Sequence, residues 1–270
     1  MLLKFEKYYN YPVVILESKC LLYSVRQIGR PKYLQKYMIG VVLMANYYYS
    51  SVTATNGVKL HYIKTSPNNI TFEKIDGNIN ETDSYGINGG FFNSSDRSQL
   101  YSIAVINHEP INGEPGGYYS GWQNAEYDRG TLIWDPVARK YTVARINTAS
   151  EIDSNELVTD LDNYWAQGGV SMSLGDDDNW EEIAEEENIN NSNTYRTGMV
   201  FAQGSSLWLI VSEGACTPAT FREAIKEKVG SGTLTDGIFL DGSTCSQFKC
   251  KEKTIVRSRM IAQKIVLINN

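Results

Sequence analysis

SLWLIVSEGACTPATFREAIKEKVGSGTLTDGIFLD (206–241) decides the fold. SLWLIVS (206–212) is a continuous apolar run of strand length, and GIFLD (237–241) is a second. Between them, TPATFREAIKEKV (217–229) has helical character, with Thr217 suited to the N-cap and Pro218 to the first helical position. Strand, helix, strand with a loop on each side predicts a right-handed crossover joining two parallel strands of one sheet. Both strands then end on one rim of the sheet, where ligands commonly bind. The first ends at Glu213 in SEG and the second at Asp241 in LDG. Two carboxylates on one rim suit glycoside chemistry, one protonating a leaving oxygen while the other stabilises or attacks the anomeric carbon. The same pair would also serve as turn caps at the ends of buried strands.

Outward from this unit the chain reads as strand and turn. VKLHYIKT (58–65) and ITFEKID (70–76) alternate around SPNN, which predicts a hairpin. SIAVIN (102–107), TLIWD (131–135), YTVARI (141–146), the segment around Met199–Gln203 and MIAQKIVLIN (260–269) read as further strands. NELVTDLDNYW (155–165) has apolar positions at helical spacing, and 179–193 reads as a polar, mobile excursion. Residues 1–50 carry no legible chemistry and form an N-terminal extension or small docking subdomain, ahead of a main domain over 51–270. Within that extension YMIGVVLMA (37–45) reads as a buried strand, because it is too short to span a bilayer and lies far from Met1.

Composition excludes several classes. A chain of 270 residues, 42% hydrophobic and 21% charged, is an ordinary globular sequence. Its net charge of −6, with no sustained basic stripe, argues against a nucleic-acid partner. The acidic stretch from Asp176–Asp178 to Glu187 lacks the glycine and ligand spacing of a calcium loop and reads as a solvated face. With two histidines and no CxxC pair among four cysteines, no metal site is expected, and no cofactor fingerprint appears. Cys245 can pair with Cys250 or with Cys216, or all can remain free thiols.

NGGFFN (88–93) follows a short apolar run, and its paired glycines can turn backbone N–H groups inward as an anion nest. Arg196 precedes a strand, and its guanidinium suits a phosphodiester through paired hydrogen bonds. Each signal also has a plain reading, as a turn and as a surface arginine.

In order along the chain, NGGFF (88–92), YSIAVINHEPIN (101–112), QNA (123–125), WAQGGVSMSLGD (165–176), YRTGMVF (195–201), LWLIVSEG (207–214), TPATFREAI (217–225) and GIFLDGSTCSQF (237–248) resemble the phosphodiester glycosidase family. The resemblance implies an α+β fold, a mixed strand-rich sheet core with outer helices. It implies hydrolysis of a glycosidic bond to phosphate in a glycan or sugar-phosphate substrate. It places Asn88, Gly89 and Gly90 in the cleft, Gly168, Gly169, Arg196 and Thr197 beside them, and Glu213, Asp241 and Gly242 at the strand ends. The chain departs from the family at Glu213-Gly214, where Asp-Gly is usual, and at LDGSTCS (240–246), where LDGGGS is usual. The expected setting is extracellular, cell-surface or virion-associated. A glycan-binding or structural module with a degenerate site is the alternative.

Overall fold

The computed structural model describes residues 4–8, 11–15 and 46–270. Its chain divides into two units, Met1–Ala45 and Asn46–Asn270. The described part of the first is an antiparallel pair, β1 (Lys4–Tyr8) with β2 (Tyr11–Ile15). The strand expected at 37–45 lies outside the described residues.

The larger unit opens with β3 (Tyr47–Thr53), β4 (Lys59–Thr65), β5 (Ile70–Gly77), β6 (Gly86–Asn88), β7 (Ala104–Ile106) and β8 (Glu109–Pro110). Then come β9 (Arg129–Asp135), β10 (Lys140–Ile146), α1 (Ser150–Ser154), β11 (Trp165–Gly168), β12 (Val170–Ser171) and α2 (Trp180–Glu186). The expected crossover unit follows as β13 (Thr197–Ala202), β14 (Ser206–Ser212), α3 (Pro218–Lys228) and β15 (Asp236–Phe239). The chain closes with β16 (Phe248–Lys249), β17 (Thr254–Ile255) and β18 (Ile261–Leu267).

These strands form three sheets, with orders β10-β9-β11-β7-β8, β12-β15-β13-β14-β4-β3 and β17-β16-β6-β18-β5. Every named strand pairing is antiparallel. The fold is α+β, as expected. β14 and β15 both pair antiparallel with β13, so they run parallel to each other in the second sheet with one strand between them. The crossover helix α3 begins as its sequence dictates. Thr217 accepts a hydrogen bond from the Thr220 N–H, Pro218 fills the first turn, and the cap is worth about 1 kcal/mol.

A central core joins all three sheets. Ile63, Met199 and Leu209 of the second sheet meet Phe72, Ile87 and Ile265 of the third and Leu132, Trp134 and Trp165 of the first. Tyr141 stacks on Phe201 with centroids 4.5 Å apart, a contact between the first and second sheets. On the other face of the second sheet, Phe221 and Ile225 of α3 pack with Val200, Ile210 and Phe239. Phe221 is fully buried there, so Phe221→Ala would cost about 3–5 kcal/mol and loosen the crossover.

Three local expectations are corrected. β4 and β5 form no hairpin: β4 joins the second sheet and β5 the third. The SPNN segment becomes a 3-10 turn over Pro67–Asn69, and the Asn69 amide ties it to the carbonyls of Asn46 and Asn269. Residues 155–165 are not helical, because the helix there is only Ser150–Ser154. Glu156 takes a positive φ of 51°, and Asp135 captures the N–H and hydroxyl of Thr159 at 2.8 and 2.7 Å. Residues 179–193 include the helix α2, which buries Trp180 and Ala184. No helix among the described residues is long and apolar enough to cross a membrane.

Candidate active site

Glu213 and Asp241 flank the same stretch of chain, the approach to β13. The Ser212 N–H donates to the Arg196 carbonyl at 2.9 Å on one side, and the Leu240 N–H donates to the Thr197 carbonyl at 2.9 Å on the other. Their parent strands are thus two strand spacings apart, roughly 10 Å across the sheet.

The surroundings of the two carboxylates differ. Glu213 is ringed by nitrogen donors: Lys59 Nζ lies 2.9 Å from Oε2, and His61 Nε2 and Lys253 Nζ lie 3.1 and 3.4 Å from Oε1. The hydrogen bonds from Lys59 and then His61 hold its carboxyl down at about 2. His61 is buried, and its Nδ1 faces the Tyr49 hydroxyl at 2.9 Å. Burial lowers the His61 pKa, which favours a neutral ring that accepts from Tyr49 and donates from Nε2 to Glu213. Arg257 stacks on the Tyr195 ring at 3.6 Å and donates to the Glu213 carbonyl at 2.7 Å. An open cleft of about 570 Å³ lies here, lined by Lys59, Asn193, Glu213, Gly214, Cys216 and Thr217 among others. Asp241 is not on its wall.

Asp241 is part-buried, and desolvation pushes its carboxyl up to about 6, against hydrogen bonds from Cys245 and the Gly242 N–H and the more distant charge of Arg259. Its backbone is locked in place. The Asp241 N–H donates to the Gly89 carbonyl at 3.3 Å, and Asn88 Nδ2 donates to the Asp241 carbonyl at 2.7 Å. Asn88 Oδ1 accepts from the Thr197 hydroxyl at 2.9 Å and from the Gln247 N–H at 3.0 Å. Asn88, Gly89, Thr197 and Asp241 therefore converge, although the first comes from the third sheet and Thr197 from the second.

The expected glycines serve close packing. The N–H groups of Gly89 and Gly90 donate to the carbonyl and Oε1 of Gln263 at 2.8 and 3.0 Å, so these donors are spent and do not form an open anion nest. A Cβ on Gly90 would lie 2.5 Å from Ser102 Cβ. On Gly168 it would meet Asn124 Oδ1 at 2.1 Å, on Gly169 the Phe239 carbonyl at 2.2 Å, and on Gly242 the Tyr195 carbonyl at 2.6 Å. Gly214, by contrast, faces open space beside Glu213. Arg196 is buried, with Nε donating to the Cys216 carbonyl at 3.2 Å and Nη2 to the Ser192 carbonyl. It has no ion pair among the described residues.

Cys216, Cys245 and Cys250 are buried free thiols, so the disulfides considered among them do not form. Cys245 is instead engaged with Asp241, and burial pushes Cys250 up to about 12. Cys20 lies outside the described residues. The acidic stretch is partly an anchor, since Asp177 binds the buried Arg222 at 2.7 Å.

Sequence reasoning missed Lys59, His61, Lys253 and Arg257. Only the β4–β14 register, which sets His61 beside Val211, brings the first two to Glu213.

No family model matches the chain, and no curated protein matches it. Among solved structures, it is similar to the zebrafish N-acetylglucosamine-1-phosphodiester α-N-acetylglucosaminidase catalytic domain, auto-inhibited by its pro-peptide. That match has a TM-score of 0.54 at 13% identity and covers 86% of this chain and 85% of that one. The likeness is one of fold. A hypothetical protein from Synechocystis matches with a TM-score of 0.47 at 10% identity, over 82% of this chain and 61% of that one.

Proposed function

We propose that the protein hydrolyses a glycosidic bond to phosphate in a sugar phosphodiester, with Asp241 as general base. The observation that carries this reading is the pair of carboxylates at parallel strand ends whose surroundings push their ionisation in opposite directions, Asp241 up to about 6 and Glu213 down to about 2. Such a split assigns roles: the group near neutrality exchanges protons, and the other stays charged. The fold shared with a phosphodiester glycosidase domain supports the substrate class.

In the reaction, a water oxygen attacks the anomeric carbon and its proton passes to the Asp241 carboxylate. The bond from C1 to the phosphate oxygen breaks, and the phosphate leaves with the bonding electrons. Phosphate is a good leaving group, so protonation of the leaving oxygen is not required. The demand is for positive charge, to which Arg196 contributes through space, since no carboxylate neutralises it among the described residues while two of its nitrogens are held by backbone carbonyls. Glu213 remains ionised and holds Lys59, His61 and Lys253 at the rim.

The spent N–H groups of Gly89 and Gly90 favour a second reading, a glycan-binding module with a degenerate site. A release assay on a panel of sugar-1-phosphodiesters separates the two. Hydrolysis that is lost in Asp241→Asn supports the enzyme, whereas binding without release by the wild type supports the module.

A further inference from the structure

Three arginines of the larger unit are buried: Arg222, Arg196 and Arg129, at 3%, 6% and 7% exposure. They are not equivalent. Arg222 is neutralised by Asp177, and its Nε donates to the Met172 carbonyl at 2.8 Å. Arg196 spends two nitrogens on backbone carbonyls. Arg129 spends only Nε, on the Glu187 carbonyl at 3.1 Å. Its two terminal nitrogens have no hydrogen-bond partner, and it has no ion pair, among the described residues.

The neighbouring carboxylates do not fill that gap. Glu187 is fully buried, and its two oxygens accept from the Gly130 N–H at 2.7 Å, the Ser171 N–H at 2.7 Å and the Ser171 hydroxyl at 2.8 Å. Glu126 is exposed and attracts the guanidinium only through space. The guanidinium carbon instead lies over two aromatic rings, Phe91 and Tyr127, 4.9 Å from each centroid. Ring faces offset part of the cost of burying a cation and hold its plane in place. They leave the terminal N–H fork unused, and that fork matches two oxygens of a phosphate. Among the described residues, the fully buried side-chain atoms without a partner are Tyr141 Oη and Arg257 Nε. The terminal nitrogens of Arg129 therefore keep some access to solvent.

The location ties this arginine to the proposed chemistry. Phe91 is two residues beyond Gly89, whose carbonyl holds the Asp241 N–H at 3.3 Å. Two residues of extended chain span at most about 7 Å. One loop, NGGFF, thus supports the Asp241 backbone at one end and the Arg129 guanidinium at the other.

We infer that Arg129, held over Phe91 and Tyr127, is the anion receptor of the site and takes two oxygens of the substrate's phosphate group. This rests on the hydrolase reading above for the identity of the substrate, but not for the binding of phosphate itself. Calorimetric titration of the full chain with inorganic phosphate and with a sugar 1-phosphate tests it. Arg129→Gln is expected to weaken both ligands by at least about tenfold, the scale of a charge-assisted paired contact. Asp241→Asn is expected to bind them at least as tightly as the wild type. Where Arg129→Gln does not fold, Arg129→Lys keeps charge and stem but lacks the planar fork, and a loss of about fivefold or more with a native circular dichroism spectrum supports the receptor equally. Phosphate binding unchanged in a folded Arg129 variant, or no phosphate binding by the wild type at about 10 mM, overturns the inference. Arg129-dependent phosphate binding by a wild type that releases no sugar would leave this receptor standing and remove the hydrolase reading.

Discussion

Glu213 and Asp241 stand just past two parallel strands of one sheet, on either side of Tyr195 and Arg196, yet their surroundings give them opposite characters. Glu213 sits on an open cleft among Lys59, His61 and Lys253 and is ionised down to about pH 2. Asp241 is part-buried, with a thiol and one backbone N–H as its hydrogen-bond donors, and desolvation pushes its carboxyl up to about 6. The residue type matters less than the donors around it. A carboxylate surrounded by cations is a poor proton acceptor, and one short of solvation is a good one near neutral pH.

The largest expected effect breaks the comparison on the Asp241 side. Asp241→Asn should lower turnover of a sugar phosphodiester by about 10²–10⁴, the usual contribution of a general acid–base group. Glu213→Gln should lower it by roughly tenfold or less, since that carboxylate acts through the cations it positions. Equal losses in steady-state assays would erase the distinction.

Stability sharpens it with opposite signs. The Asp241 pKa is raised on folding, from 3.8 to about 6, so ionisation costs the folded state. That cost is absent below about pH 4, grows as pH rises through about 6, and is then constant. Asp241→Asn should therefore be more stable than the wild type at pH 7.5, by roughly 1–3 kcal/mol and so with a higher melting temperature, and match it at pH 3.5. The Glu213 pKa is depressed, from 4.5 to about 2, so its contribution is present above about 4.5 and lost as pH falls toward 2. Glu213→Gln should melt about 2–4 °C lower at pH 7.5, with the deficit closing in acid. Melting curves at several pH values read both signs.

The smallest effect concerns the thiol beside Asp241. Because Cys216, Cys245 and Cys250 are buried and free, reductant should change neither turnover nor melting, and a thiol reagent should reach them only on unfolding. Mass spectrometry of the labelled native protein checks this.

The parts of the fold that were legible in the sequence are those whose causes are local. Thr217, Pro218 and two apolar runs specify the crossover within 36 residues, and the closing strand is one apolar run. Pairing across distance was not legible. The alternation of 58–65 and 70–76 is genuine, but period alone does not say which sheet each strand joins. Leu157 and Leu161 have helical spacing, yet Asp135 pins Thr159 from another strand. The site divides in the same way. Asn88, Thr197 and Asp241 lie in short motifs and meet in space. His61 reaches Glu213 across 152 residues, and Arg129, at the start of β9, meets Phe91 in a loop distant in sequence, so neither shows a local signature. Glycines that look like ligand cradles are, at Gly168 and Gly169, places where an oxygen of a neighbouring segment leaves no room for a Cβ.

The most direct test is the pH dependence of kcat/KM on a sugar-1-phosphodiester, measured for the wild type and for Glu213→Gln. With Asp241 as general base, the rate should rise through a single limb with its midpoint at about 6 and level off above it, and the midpoint should stay there in Glu213→Gln. A profile with no titration between pH 5 and 7, or a midpoint that moves away when Glu213 is changed, would contradict the assignment.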